Sequence, residues 1–180
     1  MLLRKLLSLA LTALLATPLA CSADSNDGVT GAAIVADYKT ELQAALGKGL
    51  SKGVLEAVSA CKIQAPDIAA GLSTDGIRVG RTSQRLREPK NTGPAWVEPV
   101  LQDYLSNELE RSAIELPLED GRMGYVEPII MQPMCSLCHG VNIEPDVLAK
   151  IDTLYPEDQA VGFQVGELRG VFWAEYPGSQ

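Results

Sequence analysis

The 180-residue chain carries 23 acidic against 15 basic side chains, a formal net charge of −8, and 46% of its residues are hydrophobic. That balance excludes nucleic acid as a partner, because no basic patch is available to neutralise phosphates. The apolar content is enough for one domain with a sizeable core, and the surplus negative charge suits a surface that docks a basic partner.

In chain order, residues 1–20 read as an export signal. Arg4 and Lys5 are its positive region, Leu6 to Leu15 its apolar run and Ala16-Thr17-Pro18-Leu19-Ala20 its small-residue end. The apolar run falls short of the ~20 residues needed to span a bilayer. Ala20-Cys21-Ser22 has the form of a lipoprotein cleavage site, which would acylate Cys21 and leave residues 21–30 as a polar tether. Ordinary cleavage after Ala20 or Ala23 is the alternative. Residues 31–180 are the expected domain, located in the periplasm, with a lipid anchor at Cys21 as its one contact with a membrane.

From Gly31 to Cys61 the pattern predicts helix, since Leu46, Leu50, Val54, Ala57 and Cys61 recur at helical spacing. Gly47, Gly49 and Gly53 predict a bend or a second start near Leu50. Pro66 is expected to end the helix, with Asp67 to Leu72 as one further short turn. Ile77 and Val79 alternate with Arg78 and Arg81, predicting a strand over Gly76 to Thr82 and a polar stretch through Asn91. Pro94 is expected to start a helix bearing Trp96, Val100, Leu101, Tyr104, Leu105 and Leu109, although Pro99 conflicts with one continuous helix and would move its start toward Glu98. Gly124 to Met131 reads as a strand with Pro128 at an edge or bulge. Val147 to Leu154 reads as a short helix, and Arg169 to Tyr176 as a final strand rich in Val, Phe, Trp and Tyr. Gly162, Gly166 and Gly170 imitate a small-residue membrane motif, but Glu167 and Arg169 lie between them, so turns are expected there.

The chemistry concentrates in Cys135-Ser136-Leu137-Cys138-His139. Two thiols at this spacing can add across the two vinyl groups of a haem, and the adjoining imidazole can ligate the iron. Three other readings compete. A redox-active C-x-x-C normally opens a βαβ unit, which is not visible here. Zinc could draw on Cys61, Cys135, Cys138 and His139, although adjacent Cys138 and His139 crowd one tetrahedral shell. A plain Cys135–Cys138 disulfide leaves the histidine without a purpose. One covalent haem c is therefore the expected cofactor, with Cys135 and Cys138 binding it and His139 on the metal.

His139 is the only histidine in the chain, so the opposite axial position needs a different ligand. The candidates are Cys61, Met123, Met131, Met134, a lysine, water or nothing. Arg81, Arg85 and Arg87 supply guanidinium groups that pair with carboxylates, and Arg81 is the candidate for a haem propionate. The other two are expected in solvated loop salt bridges. Trp96, Phe163, Phe172 and Trp173 are expected in the core or as pocket walls.

From Ala60 onward the chain resembles a domain-of-unknown-function family of PAS-like c-type haem proteins, found free-standing in the periplasm or ahead of signalling domains. The resemblance is carried by Cys61 with Ala65-Pro66-Asp67-Ile68-Ala69, by Gly80-Arg81-Thr82-Ser83, and by Arg87-Glu88-Pro89-Lys90-Asn91 with Pro94, Trp96 and Glu98. It continues through Cys138-His139-Gly140, Tyr155-Pro156-Glu157-Asp158-Gln159-Ala160-Val161-Gly162 and Gly166-Glu167-Leu168-Arg169-Gly170. Glu88 stands where the family usually has asparagine, and Pro99 interrupts its Trp-Glu helix. The resemblance implies an α+β fold, a PAS-like antiparallel sheet flanked by helices. It also implies Cys61 as an axial thiolate opposite His139.

Thiolate ligation stabilises ferric iron and can be lost on reduction, which opens a coordination site. The expected function is a redox or small-ligand sensing module, responding to haem redox state or to a diatomic gas and read by a redox or signalling partner. A periplasmic electron carrier is the alternative. Peroxidase-like chemistry ranks last because no second histidine can move a proton, so no enzyme activity and no catalytic residue is expected.

Overall fold

The computed structural model describes residues 29–107 and 111–178. The expected signal, Cys21, most of the tether and Leu109 lie outside the described residues. Thr30 opens α1 (Gly31–Leu50), its hydroxyl accepting a hydrogen bond from the Ala33 N–H at 3.2 Å and satisfying one orphan donor of the first turn. The break expected near Leu50 follows at once. The Ser51 N–H bonds back to the Gly47 carbonyl at 3.0 Å, and Gly53, at φ 122°, turns the chain into α2 (Val54–Leu72). The two helices form a close hairpin because Gly49 has no side chain. A Cβ there would stand 2.6 Å from the Ala57 Cα.

Pro66 does not end the helix, contrary to expectation: α2 runs through it to Leu72. An interior proline forfeits a backbone bond at a cost of about 3 kcal/mol. Beyond it, Ile68, Ala69 and Leu72 pack against the core of Ile34, Val35, Tyr38 and Val79, and this burial offsets the loss.

Four antiparallel strands form one sheet in the order β1-β4-β3-β2. They are β1 (Arg78–Thr82), β2 (Ile114–Pro117), β3 (Arg122–Ile130) and β4 (Leu168–Pro177). β2, which no residue pattern announced, is mostly exposed and owes its form to pairing with β3. That pairing reaches only as far as Val126, so Pro128 sits where β3 is locally an edge and its missing N–H costs nothing.

The strand period sorts the core into two layers. Phe172, Ala174 and Tyr176 of β4 pack toward α1, while Val171 and Trp173 pack with Val97, Leu101 and Tyr104 of α3 (Val97–Ser106). α3 starts at Val97, so Pro99 lies in the first turn, where its N–H would have no helical partner anyway. α4 (Ser136–His139) is a single turn, and α5 (Pro145–Leu154) buries Val147 and Ile151 against Val58 of α2. Gly162, Gly166 and Gly170 all have positive φ, so they serve turns and a strand irregularity, not helix packing.

Candidate functional site

The C-x-x-C-H run owes its geometry to local helix formation. Pro133–Cys135 is a 3₁₀ turn that passes directly into α4, so Cys135, Cys138 and His139 stand three and four residues apart on one face of a single turn. Beyond it, Gly140 closes the turn in extended conformation, and a Cβ at this position would lie 2.6 Å from the Ser136 carbonyl oxygen. Residues 160–163 then lock the turn from behind. The Phe163 N–H donates to the His139 carbonyl at 2.9 Å and the Gly162 N–H to the Gly140 carbonyl at 2.9 Å.

His139 Nδ1 lies 2.7 Å from the Ala160 carbonyl oxygen. A carbonyl can only accept, so Nδ1 carries the proton and Nε2 keeps its lone pair. Burial, with Arg169 and Arg87 adding positive charge nearby, holds the imidazole well below its ordinary 6.5. The ring is therefore neutral, the form that ligates a metal.

A cavity of about 410 Å³ opens in front of this turn, between the α1–α2 hairpin and the β1–β4 side of the sheet. That volume is within the ~300–1,000 Å³ of small-molecule and cofactor sites. Cys61, Arg81, Cys135, Cys138 and His139 all line it. Residues drawn from α2, β1 and α4 thus meet at one surface. Leu42, Leu46 and Leu50 of α1 and Phe172 of β4 add apolar walls. Burial raises the Cys61 thiol, with Arg81 and Arg87 opposing, and burial likewise raises Cys138.

The methionine candidates separate clearly. Met123 packs in the α1-side core and Met131, 1% exposed, packs against Ala160 and Phe163; neither lines the cavity. Met134 does line it, although it is 54% exposed. Cys61, Cys135 and Cys138 are free thiols, and among the described residues no group of three or more His, Cys, Asp or Glu gathers as metal ligands. Of the aromatic residues, Phe172 and Trp173 line the cavity, Phe163 is buried behind α4, and Trp96 donates its Nε1–H to Glu175 at 2.6 Å.

Arg85 and Arg87 are engaged elsewhere. Arg87, expected in solvent, has a side chain only 12% exposed and pairs at 3.1 Å with Asp158, whose side chain is 5% exposed. The same guanidinium donates to the carbonyls of Cys138 at 2.6 Å and Ala160 at 3.2 Å, clamping the turn that holds His139. Arg85 donates to the Val161 carbonyl at 2.9 Å and lies 3.6 Å from Glu167. Residue patterns also missed Tyr155 and Arg169 as cavity-lining groups. For Arg169 the available signal was its position between Leu168 and Gly170, a cation at the start of an apolar strand.

The family model for Tll0287-like proteins matches residues 25–177. The chain belongs to the Tll0287-like family. This is a family of non-catalytic binding modules, and the chain is not an enzyme. No curated protein matches it. Among solved structures, it resembles the crystal structure of the cyanobacterial heme-protein Tll0287, with a TM-score of 0.59 and 21% identity over 81% of this chain and 94% of that one. The shared architecture is the PAS-like α+β fold, a helix-flanked antiparallel sheet.

Proposed function

We propose that this chain is an exported monohaem c-type protein that senses redox state or a small diatomic ligand. The observation that carries the reading is the meeting, in one cavity, of the C-x-x-C-H turn with Cys61 and Arg81 from distant segments. The donor set fits the group. Cys135 and Cys138 would hold haem through thioether bonds, His139 would present Nε2 to the iron, and Cys61 would supply a second iron ligand. Bound there, the iron supplies a one-electron couple and a position for a diatomic gas.

The chain's own residues do the rest. Ala160 fixes the His139 tautomer, Arg87 and Asp158 hold the turn, and the apolar wall of α1 keeps water from the ring. The protein named in the matching crystal structure is itself a heme-protein, which supports the same reading. A signal over residues 1–20 and acylation of Cys21 would place the module in the periplasm on a lipid tether, where a redox or signalling partner reads it.

An electron carrier is the second reading, favoured by one observation. Met134 and Leu137 line the cavity yet are 54% and 45% exposed, so one edge of the site is open to a docking partner. Lability of the Cys61 ligand separates the two readings. Wild type and Cys61→Ala, each co-expressed with cytochrome c maturation machinery, are compared by absorption and electron paramagnetic resonance. A low-spin ferric thiolate signal present in wild type and lost in the variant is the expected result. Rapid carbon monoxide binding after dithionite reduction supports the sensor, and an unchanged six-coordinate ferrous spectrum supports the carrier. Wild type without covalent haem ends both readings.

A further inference from the structure

Two arginines face the cavity with no carboxylate to match them. Of the three that line it, Arg87 is paired with Asp158, whereas Arg81 and Arg169 form no ion pair among the described residues. Arg169 is the more deeply set. Its Nη1 donates only to the Arg85 carbonyl at 3.3 Å, and its Nε is buried without a partner. The guanidinium lies 5.0 Å from the centre of the Phe163 ring, which offers a face but no countercharge. Burial, with Arg81 and Arg87 close by, pushes Arg169 down to about 9; Asp158, already paired with Arg87, opposes this only in part. Buried cations are ordinarily paired, so the missing anion belongs to something the cavity receives.

The position of Arg169 comes from a strand irregularity. Stepping back by twos from Trp173 and Val171, residue 169 should face α3. Leu168 occupies that side instead. The register skips one residue, since Ile129 pairs with Gly170 and Ile130 with Leu168. Arg169 is therefore the extra residue of a β-bulge, a device that re-aims a side chain beside a site. Gly170 makes it possible: at φ 153° it approaches β1 so closely that a Cβ would stand 2.2 Å from the Thr82 carbonyl oxygen. Arg81 reaches the same side by regular pairing, directly opposite Phe172.

The geometry points to Arg169 as a carboxylate-binding residue that, together with Arg81, holds the propionates of the haem. This rests on the haem reading above and adds a residue to it. Guanidinium suits the task because its donors match both oxygens of a carboxylate. Two cations against two propionates also match in charge, whereas the apolar α1 wall could not accept either carboxylate alone.

The test uses the haem-loaded protein. Haem per chain is counted by the pyridine haemochrome method, the midpoint potential is measured by redox titration, and the propionate bending bands are recorded by resonance Raman. Arg169→Leu keeps the contact with Phe163 and removes the charge. It is expected to retain one haem per chain, to shift the propionate bands, and to favour ferric over ferrous about tenfold, which is ~59 mV for a one-electron couple. Arg169→Lys should recover most of the potential. Arg85→Leu, which removes a cation 3.4 Å over the same ring but already placed beside Glu167, should leave the potential unchanged. If Arg169→Leu does not accumulate, Arg169→Gln carries the same comparison. A haem-loaded Arg169→Leu or Arg169→Gln protein with wild-type potential and propionate bands overturns the proposal and leaves Arg169 a stacking residue. Wild type lacking covalent haem overturns the haem reading itself, so the two failures are distinguishable.

Discussion

Arg87 shows how one side chain can support a site without entering its chemistry. It is almost fully enclosed, paired with the still more enclosed Asp158, and bonded to the carbonyls of Cys138 and Ala160. Removing one member of a buried pair strands the other charge, at a cost of about 3–5 kcal/mol. Arg87→Ala is expected to lower the unfolding free energy by about that amount in urea titrations. Adding Asp158→Asn should restore a large part of it, because the amide oxygen can still accept from the Ala160 N–H that now donates to Asp158 at 2.8 Å. A single-variant cost below ~1 kcal/mol would match a surface pair and refute this role. Of the chemistry-bearing residues, Cys135, Cys138 and His139 were legible in the sequence because their relation is confined to one helical turn. Arg87 was read as solvated because a run of arginines says nothing about which of them meets a buried aspartate 71 residues away in the chain.

Among the elements, the bulge in β4 has the sharpest consequence. Gly170→Ala would place a Cβ 2.2 Å from the Thr82 carbonyl and 2.9 Å from the Ser83 Cβ, in a backbone conformation at φ 153°. Gly166, at φ 91°, has no heavy atom within 4 Å of its own Cβ position. Gly166→Ala should therefore cost only the backbone penalty, roughly 1–2 kcal/mol. Gly170→Ala should cost that and ~1–3 kcal/mol more from the collision. Equal losses in denaturant titrations would mean that the bulge is not held against β1. Helix and strand identity were largely readable from apolar spacing, including the break near Leu50 and the strand over Arg169 to Tyr176. The exceptions have physical causes. Pro66 continues a helix because the residues after it have a core to enter, and β2 exists only because β3 is there to pair with it.

For the whole molecule, acid should loosen the haem-free fold through its one histidine. The buried His139 ring stays neutral, while in the unfolded chain it takes a proton near its ordinary 6.5. The unfolded state then binds more protons, so stability is fully present above about pH 6.5 and falls as pH drops below it. The slope is at most ~1.4 kcal/mol per pH unit for a single group. Thermal unfolding from pH 8 to 5 should show a level Tm that declines below about 6.5, and a Tm rising in that range would contradict a neutral buried ring. Glu88, held low chiefly by its hydrogen bond to Lys62, acts only below its ordinary 4.5 and so leaves this window clear.

The sequence by itself determined the chemistry that is local in the chain. Two thiols and an imidazole at positions i, i+3 and i+4 share one face wherever a helical turn forms, and alternation or helical spacing follows from backbone periods that need no partner. Only the tertiary structure decided what that turn faces. Cys61 reaches the cavity through a helical hairpin closed at Gly49, and Arg169 reaches it through a one-residue slip in strand register. A slip of one residue reverses which side of a sheet every earlier side chain occupies. No local pattern records it, because it is set by the strands on either side.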